Sequence, residues 1–127
     1  MKSIATFLGA AMLLSCDPVF AGEAPYTTAA FDQLVAARKP VAVEFHADWC
    51  PTCRAQAPVV RELMSTTEFK PLTVLVADFD TDKAARKSLS VSQQSTIVVF
   101  RQGKEVARST GETHRDGLAA LLHRALP

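Results

Sequence analysis

Apolar residues follow two different periods along this chain. From Thr28 to Lys39 they recur at helical spacing, with Phe31, Leu34 and Val35 on one face, and Pro40 closes the segment. Val41 to His46 is a nearly unbroken apolar run, which predicts a buried strand. A second helix is predicted from Cys50 to about Ser65. Pro51 suits its first position, where a missing N–H has no partner to lose, and Pro58 should kink its interior. Leu72 to Phe79 reads as another buried strand. Thr81 to Leu89 reads as a short helix capped by Thr81 or Asp82. Thr96 to Phe100 and Glu105 to Ser109 flank Arg101-Gln102-Gly103-Lys104, a hairpin pattern that ends at Gly111. His114 to Leu126 is a final amphipathic helix with Leu118, Leu121 and Leu122 inward, and Gly22 to Thr27 reads as an exposed lead-in. The helical crossover between the first two strands makes them parallel and right-handed. The expected class is α/β, a central mixed sheet with helices on both faces.

With 127 residues, 48% of them hydrophobic, the chain suits one domain around one core. A formal charge of +1 offers no footprint for nucleic acid or an acidic membrane surface. The N-terminus is a separate object. Lys2, the apolar stretch Ile4 to Ser15 and the small-residue site ending at Ala21 form a secretory signal pattern over residues 1–21. The stretch is too short to span a bilayer comfortably. The competing reading is a buried N-terminal helix. A second processing route is also written there: Leu13-Leu14-Ser15-Cys16 resembles a bacterial lipoprotein box, which would make Cys16 a lipid-anchored first residue. Val19-Phe20-Ala21 favours the soluble product. Either route leaves a domain from residue 22 to 127 whose only thiols are Cys50 and Cys53, as suits a redox pair in an oxidising compartment.

Those thiols sit in Trp49-Cys50-Pro51-Thr52-Cys53, between the first strand and the second helix. Cys50 falls at the N-cap, where its sulfur faces the free N–H groups of Thr52 and Cys53 and the positive end of the helix dipole. Both favour a thiolate, so Cys50 is the expected nucleophile and the more buried Cys53 the resolving thiol. Arg54 adds positive charge nearby. The alternatives are a structural staple, which would restrain little in so small a loop, and half of a zinc site, for which this segment lacks ligands. Trp49 is read as a shield and flat contact for substrate, or as ordinary packing. His46 reads as a strand-end histidine with no partner in view, Asp78 and Asp80 as caps of the next helix, His114 and His123 as helix-surface residues, and Lys83, Arg86 and Lys87 as a solvated face.

Over residues 26–127 the chain resembles the thioredoxin superfamily. The residues that carry the likeness are Val43-Glu44-Phe45, Ala47-Asp48-Trp49-Cys50-Pro51-Thr52-Cys53, Pro58, Asp80, Thr96, Phe100, Gly103 and Gly111, with no insertion between Glu44 and Gly111. The resemblance implies the three-layer thioredoxin-like fold and a thiol–disulfide oxidoreductase with no bound cofactor. It implies substrate contacts at Trp49, Pro51, Thr52, Ser95 and Thr96. The Trp-Cys-Pro-Thr-Cys run is similar to that of periplasmic thioredoxins serving cytochrome c maturation, and Ala-Asp-Trp-Cys to a domain of the membrane electron conduit that feeds them. A periplasmic, monomeric reductant of disulfide-bearing proteins, recharged by a membrane electron donor, is therefore expected.

Two positions depart from the family pattern. Ser95 stands where relatives carry a cis-proline facing the dithiol. A cis bond before any other residue costs about 2.5 to 4 kcal/mol, so the Gln94–Ser95 bond is predicted to be trans. Glu44 stands where thioredoxins have a buried aspartate, and the resemblance gives it the proton of Cys53. Burial should raise its pKa, and Val76 replaces the family's lysine on the next strand, so no cation would hold Glu44 ionised; the alternative is a strand-end Glu that reaches water. The rival reading is a metal carrier, with Cys50 and Cys53 holding a soft ion such as copper at a site opened by Ser95.

Overall fold

A computed structural model describes residues 22–127. The expected signal segment, including Cys16, lies outside the described residues. Five strands form one sheet: β1 (Gly22–Pro25), β2 (Val41–His46), β3 (Thr73–Asp78), β4 (Thr96–Arg101) and β5 (Lys104–Thr110). Their order is β1-β3-β2-β4-β5. The first three run parallel, and β4 and β5 are antiparallel to their neighbours. Four helices accompany them: α1 (Thr28–Ala36), α2 (Pro51–Met64), α3 (Lys83–Ser88) and α4 (Arg115–His123). This is the mixed α/β architecture that the apolar pattern predicts, with the thioredoxin-like arrangement that the resemblance implies.

One element departs from expectation. The exposed lead-in is strand β1, in register with β3 from Gly22↔Thr73 to Pro25↔Val76. Four residues with Gly at one end and Pro at the other carry no alternation to read. The pairing comes from the available edge of β3, and Pro25 is tolerated because β1 pairs on one side only. The helices are otherwise shorter than predicted at their ends. Thr27 caps α1 by accepting from the Ala30 N–H at 3.0 Å, and Arg38 turns the chain out of it at φ +56°. The hairpin turn places Gln102 and Gly103 at φ +53° and +77°, the conformation that two-residue turns require.

Strand β2 is the middle of the sheet and is buried on both faces. Val41, Val43 and Phe45 point into a cluster with Leu34 of α1, Ala85 of α3, Leu75 and Val98. Ala42 points the other way, toward Val74, Ile97 and Val99, beneath Val60 and Leu63 of α2 and Leu118 and Leu122 of α4. Cys50 and Cys53 belong to the first cluster. Glu44, by strand alternation, shares the second face with Ala42. The C-terminal end of β2 therefore delivers the chain into the cysteine motif with an acid on one side of the sheet and an aromatic ring on the other.

Candidate active site

Helix α2 begins where its N-cap residue is Cys50 (φ −82°, ψ 118°) and its first helical residue is Pro51. The Cys50 Sγ accepts the backbone N–H of Cys53 at 3.5 Å. That donor holds the Cys50 thiol below its usual range, with further help from the Cys53 side chain, the Ser95 hydroxyl and the Thr52 N–H, and against the opposing effect of burial. Cys50 is 9% exposed and Cys53 fully buried. Burial pushes the Cys53 thiol up, which the Ser95 hydroxyl and the backbone at Ala47 partly oppose. Both are free thiols, so the pair is in its dithiol form. A sulfur near the surface that ionises easily, backed by one that does not, separates the attacking and resolving roles of thiol–disulfide exchange.

Ser95 closes the site from the opposite side. The Gln94–Ser95 bond is trans, as are all peptide bonds among the described residues. The Ser95 hydroxyl lies 3.0 Å from Cys53 Sγ and 3.7 Å from Cys50 Sγ. Its backbone N–H donates to Phe45 at 2.9 Å, and its carbonyl accepts from the Gly111 N–H at 3.0 Å and from Gln56 Nε2 at 3.2 Å. Gln56 also donates to the Glu112 carbonyl at 2.8 Å. It thereby ties the Ser95 loop to the segment after β5. Sequence reasoning passes over Gln56, although a signal exists: it is the one polar residue on the stripe Cys53, Gln56, Val60 and Leu63 that α2 buries. Thr96 is buried, and its hydroxyl is committed to the Gln93 carbonyl (2.9 Å) and to Thr110 (2.8 Å).

Glu44 is 1% exposed, and its Oε1 has no hydrogen-bond partner. Burial, and after it the proximity of Glu23, raises its pKa from 4.5 to about 7, with His46 and Arg61 opposing. No cation among the described residues holds Glu44 ionised, in line with the loss of the family's lysine at Val76. Arg61 of α2 comes within electrostatic reach, but its guanidinium is paired with Glu23 on β1 at 3.6 Å. That pairing helps to explain why Glu44 is not held ionised. The carboxyl is thus poised near neutrality, although no hydrogen bond joins it to Cys53.

On the rim, Trp49 is 58% exposed, and its indole N–H donates to Asp80 Oδ2 at 2.7 Å. Pro51 is exposed and Thr52 half-buried. The expected helix-capping role of Asp78 and Asp80 is corrected. Asp80 anchors the tryptophan, while Asp78 Oδ1 accepts the N–H groups of Asp80 and Thr81 in the loop before α3, at 2.8 and 3.1 Å. His46 does have a partner, Asp48, at 2.9 Å. Among the described residues no group of three or more His, Cys, Asp or Glu side chains is placed to hold a metal ion. A metal at the pair would have two sulfur ligands alone from these residue types.

Comparison with known proteins places this geometry. The Thioredoxin family model matches residues 23–124. The chain belongs to the thioredoxin family. Family members similar to it include the thioredoxin of Chlamydia trachomatis serovar D, 34% identical over 84 residues, which are 66% of this chain and 80% of that one. The thioredoxin of Mycobacterium tuberculosis strain H37Rv is 36% identical over 89 residues, 70% of this chain and 73% of its own. Among solved structures, the crystal structure of Trxlp from Edwardsiella tarda EIB202 superposes with a TM-score of 0.76 at 44% identity, covering 80% of this chain and 97% of that one. Family membership and the Cys50–Cys53 dithiol together make this protein a thiol–disulfide oxidoreductase.

Proposed function

We propose that the protein is an exported reductant of protein disulfides. Reduced Cys50 attacks a target disulfide, Cys53 resolves the mixed disulfide, and the oxidised pair is recharged by an electron donor in the membrane. The observation that carries this reading is the capped sulfur of Cys50, held acidic by the Cys53 N–H at the surface end of a buried dithiol. Glu44, with a pKa of about 7, can accept the Cys53 proton at neutral pH. Trp49 and Pro51 offer an exposed apolar rim on which a substrate chain can lie. The signal pattern of residues 1–21 and the Trp-Cys-Pro-Thr-Cys run support a periplasmic setting like that of reductants serving cytochrome c maturation. The protein acts as a monomer in this reading.

Direction is tested by equilibrating the purified protein with glutathione. A potential near the roughly −270 mV of thioredoxin supports a reductant, and one near about −120 mV makes the protein an oxidant instead. Turnover of insulin disulfides with dithiothreitol as donor checks activity. Fusing residues 1–22 to a phosphatase that is active only outside the cytoplasm tests export, and the mass of the mature chain separates cleavage after Ala21 from lipidation at Cys16. Replacing Cys53 with Ala in the host and identifying what stays bound to Cys50 names the substrates.

A further inference from the structure

Ser95 occupies φ +59°, a region that side-chain-bearing residues enter at a cost in energy. The three hydrogen bonds to its backbone described above, one of them from the Gln56 side chain, hold it there, and only 2% of it is exposed. Both of its backbone polar groups are therefore consumed. What remains is the hydroxyl, which the constrained backbone directs between the two sulfurs, 3.0 Å from Cys53 and 3.7 Å from Cys50.

We propose that Ser95 is a further catalytic residue, whose hydroxyl donates to Cys53 Sγ as that sulfur ionises and attacks, and so governs the resolving step and the redox poise of the pair. The proposal rests on the thiol–disulfide reading and extends it. In the first half-reaction Cys50 Sγ, as thiolate, attacks a target R–S–S–R′. A Cys50–S–S–R bond forms, and R′–S⁻ leaves with the bonding pair and takes a proton from water. In the second, Cys53 gives up its proton to the Glu44 carboxylate, the acceptor of the proposed function, and its thiolate attacks Cys50 Sγ. The Cys50–Cys53 disulfide forms and R–S⁻ leaves, to be protonated in turn. The dithiol loses two electrons and the target disulfide gains them. The Ser95 proton stays on Oγ throughout.

Chemistry gives this donor its importance. Cys53 is fully buried, so water does not stabilise its thiolate, and the serine hydroxyl lies 3.0 Å from that sulfur. A hydrogen bond to a charged group is stronger than one to a neutral group. A disulfide sulfur accepts poorly, so the same bond stabilises the dithiol over the disulfide.

The test uses stopped-flow oxidation of the reduced protein by 5,5′-dithiobis(2-nitrobenzoate). One thionitrobenzoate is released when Cys50 attacks and a second when Cys53 resolves. Ser95→Gly removes the hydroxyl and relieves the positive φ, whereas Ser95→Ala removes the hydroxyl alone. In both, the second phase is expected to slow roughly ten- to hundred-fold, with the first changing a few-fold at most. The potential should move to more negative values, by about 30 mV for each tenfold loss of preference for the dithiol. An unchanged second phase and potential, or slowing in only one variant, overturns the proposal. Should neither variant fold, NMR of the reduced wild-type protein decides. A Ser95 hydroxyl proton protected from exchange and close to the Cys53 Hβ protons supports it, and a freely exchanging one overturns it. Failure of the wild-type protein to release any thionitrobenzoate would instead sink the thiol–disulfide reading itself.

Discussion

Replacing Glu44 with Gln keeps the side chain's size and removes its charge. In the unfolded chain this carboxyl titrates near 4.5, and in the folded protein at about 7. Between those values the folded state holds a proton that the unfolded state has released, so stability falls as pH rises. The gap, about 7 minus 4.5, is about 2.5. At about 1.4 kcal/mol for each pKa unit, roughly 3 kcal/mol is lost by pH 8. For a domain of this size that corresponds to roughly 10 °C in Tm. The assay is guanidinium unfolding of the fully reduced wild-type protein and Glu44→Gln from pH 5 to 8.5. The acidic Cys50 thiol acts in the opposite sense, because a lowered pKa adds stability as pH rises, but it is common to both proteins and cancels in the difference. The wild-type curve should fall relative to the variant through pH 5 to 7, leaving Glu44→Gln the more stable protein at pH 8. Parallel curves across the range would refute the reasoning, since they would mean that Glu44 is not stored as a neutral acid.

The same variant should slow insulin reduction at neutral pH, and an unchanged rate would remove Glu44 from the proton path. Glu23→Gln takes away the second cause of the raised Glu44 pKa and frees Arg61, so the carboxyl's midpoint should fall and the pH profile of disulfide reduction should shift to lower pH. Gly103→Ala forces a side chain into φ +77°, with its Cβ 3.3 Å from the Val35 carbonyl. Thermal unfolding should show a loss of about 1 to 2 kcal/mol. Asp80→Ala releases the indole of the only tryptophan, so Trp49 fluorescence anisotropy should drop while stability changes by less than about 0.5 kcal/mol.

Legibility followed the range over which each signal acts. The bounds of β2 were readable because Pro40 stops the preceding helix and the apolar run has no competitor. The cysteine N-cap was readable because Cys50-Pro51 is a local pattern with a local cause. Strand β1 was not, since its residues become a strand only against β3, about fifty positions away. Asp80 looked like a cap because caps are local, but Trp49, 31 positions earlier, claims its carboxylate. Glu23 and Arg61 reach Glu44 only through tertiary packing, and a single sequence carries no sign of which distant charge arrives. Ser95 stood out as a departure from the family pattern, yet its distance to the sulfurs depends on a positive φ, which sequence ordinarily assigns to glycine.

Glu44 and Phe45 are consecutive residues that serve opposite sides of β2. The acid lies toward α2 and α4, while the phenylalanine fills the other core and its carbonyl receives the Ser95 N–H. A slip of one position in the pairing of β2 would exchange them, burying the carboxylate where an aromatic ring belongs and pulling the serine loop off its anchor. Misaligned folding intermediates would therefore be inert as well as unstable. Chemical competence here is a readout of correct strand alignment, so recovery of activity during refolding should coincide with the final locking of the sheet.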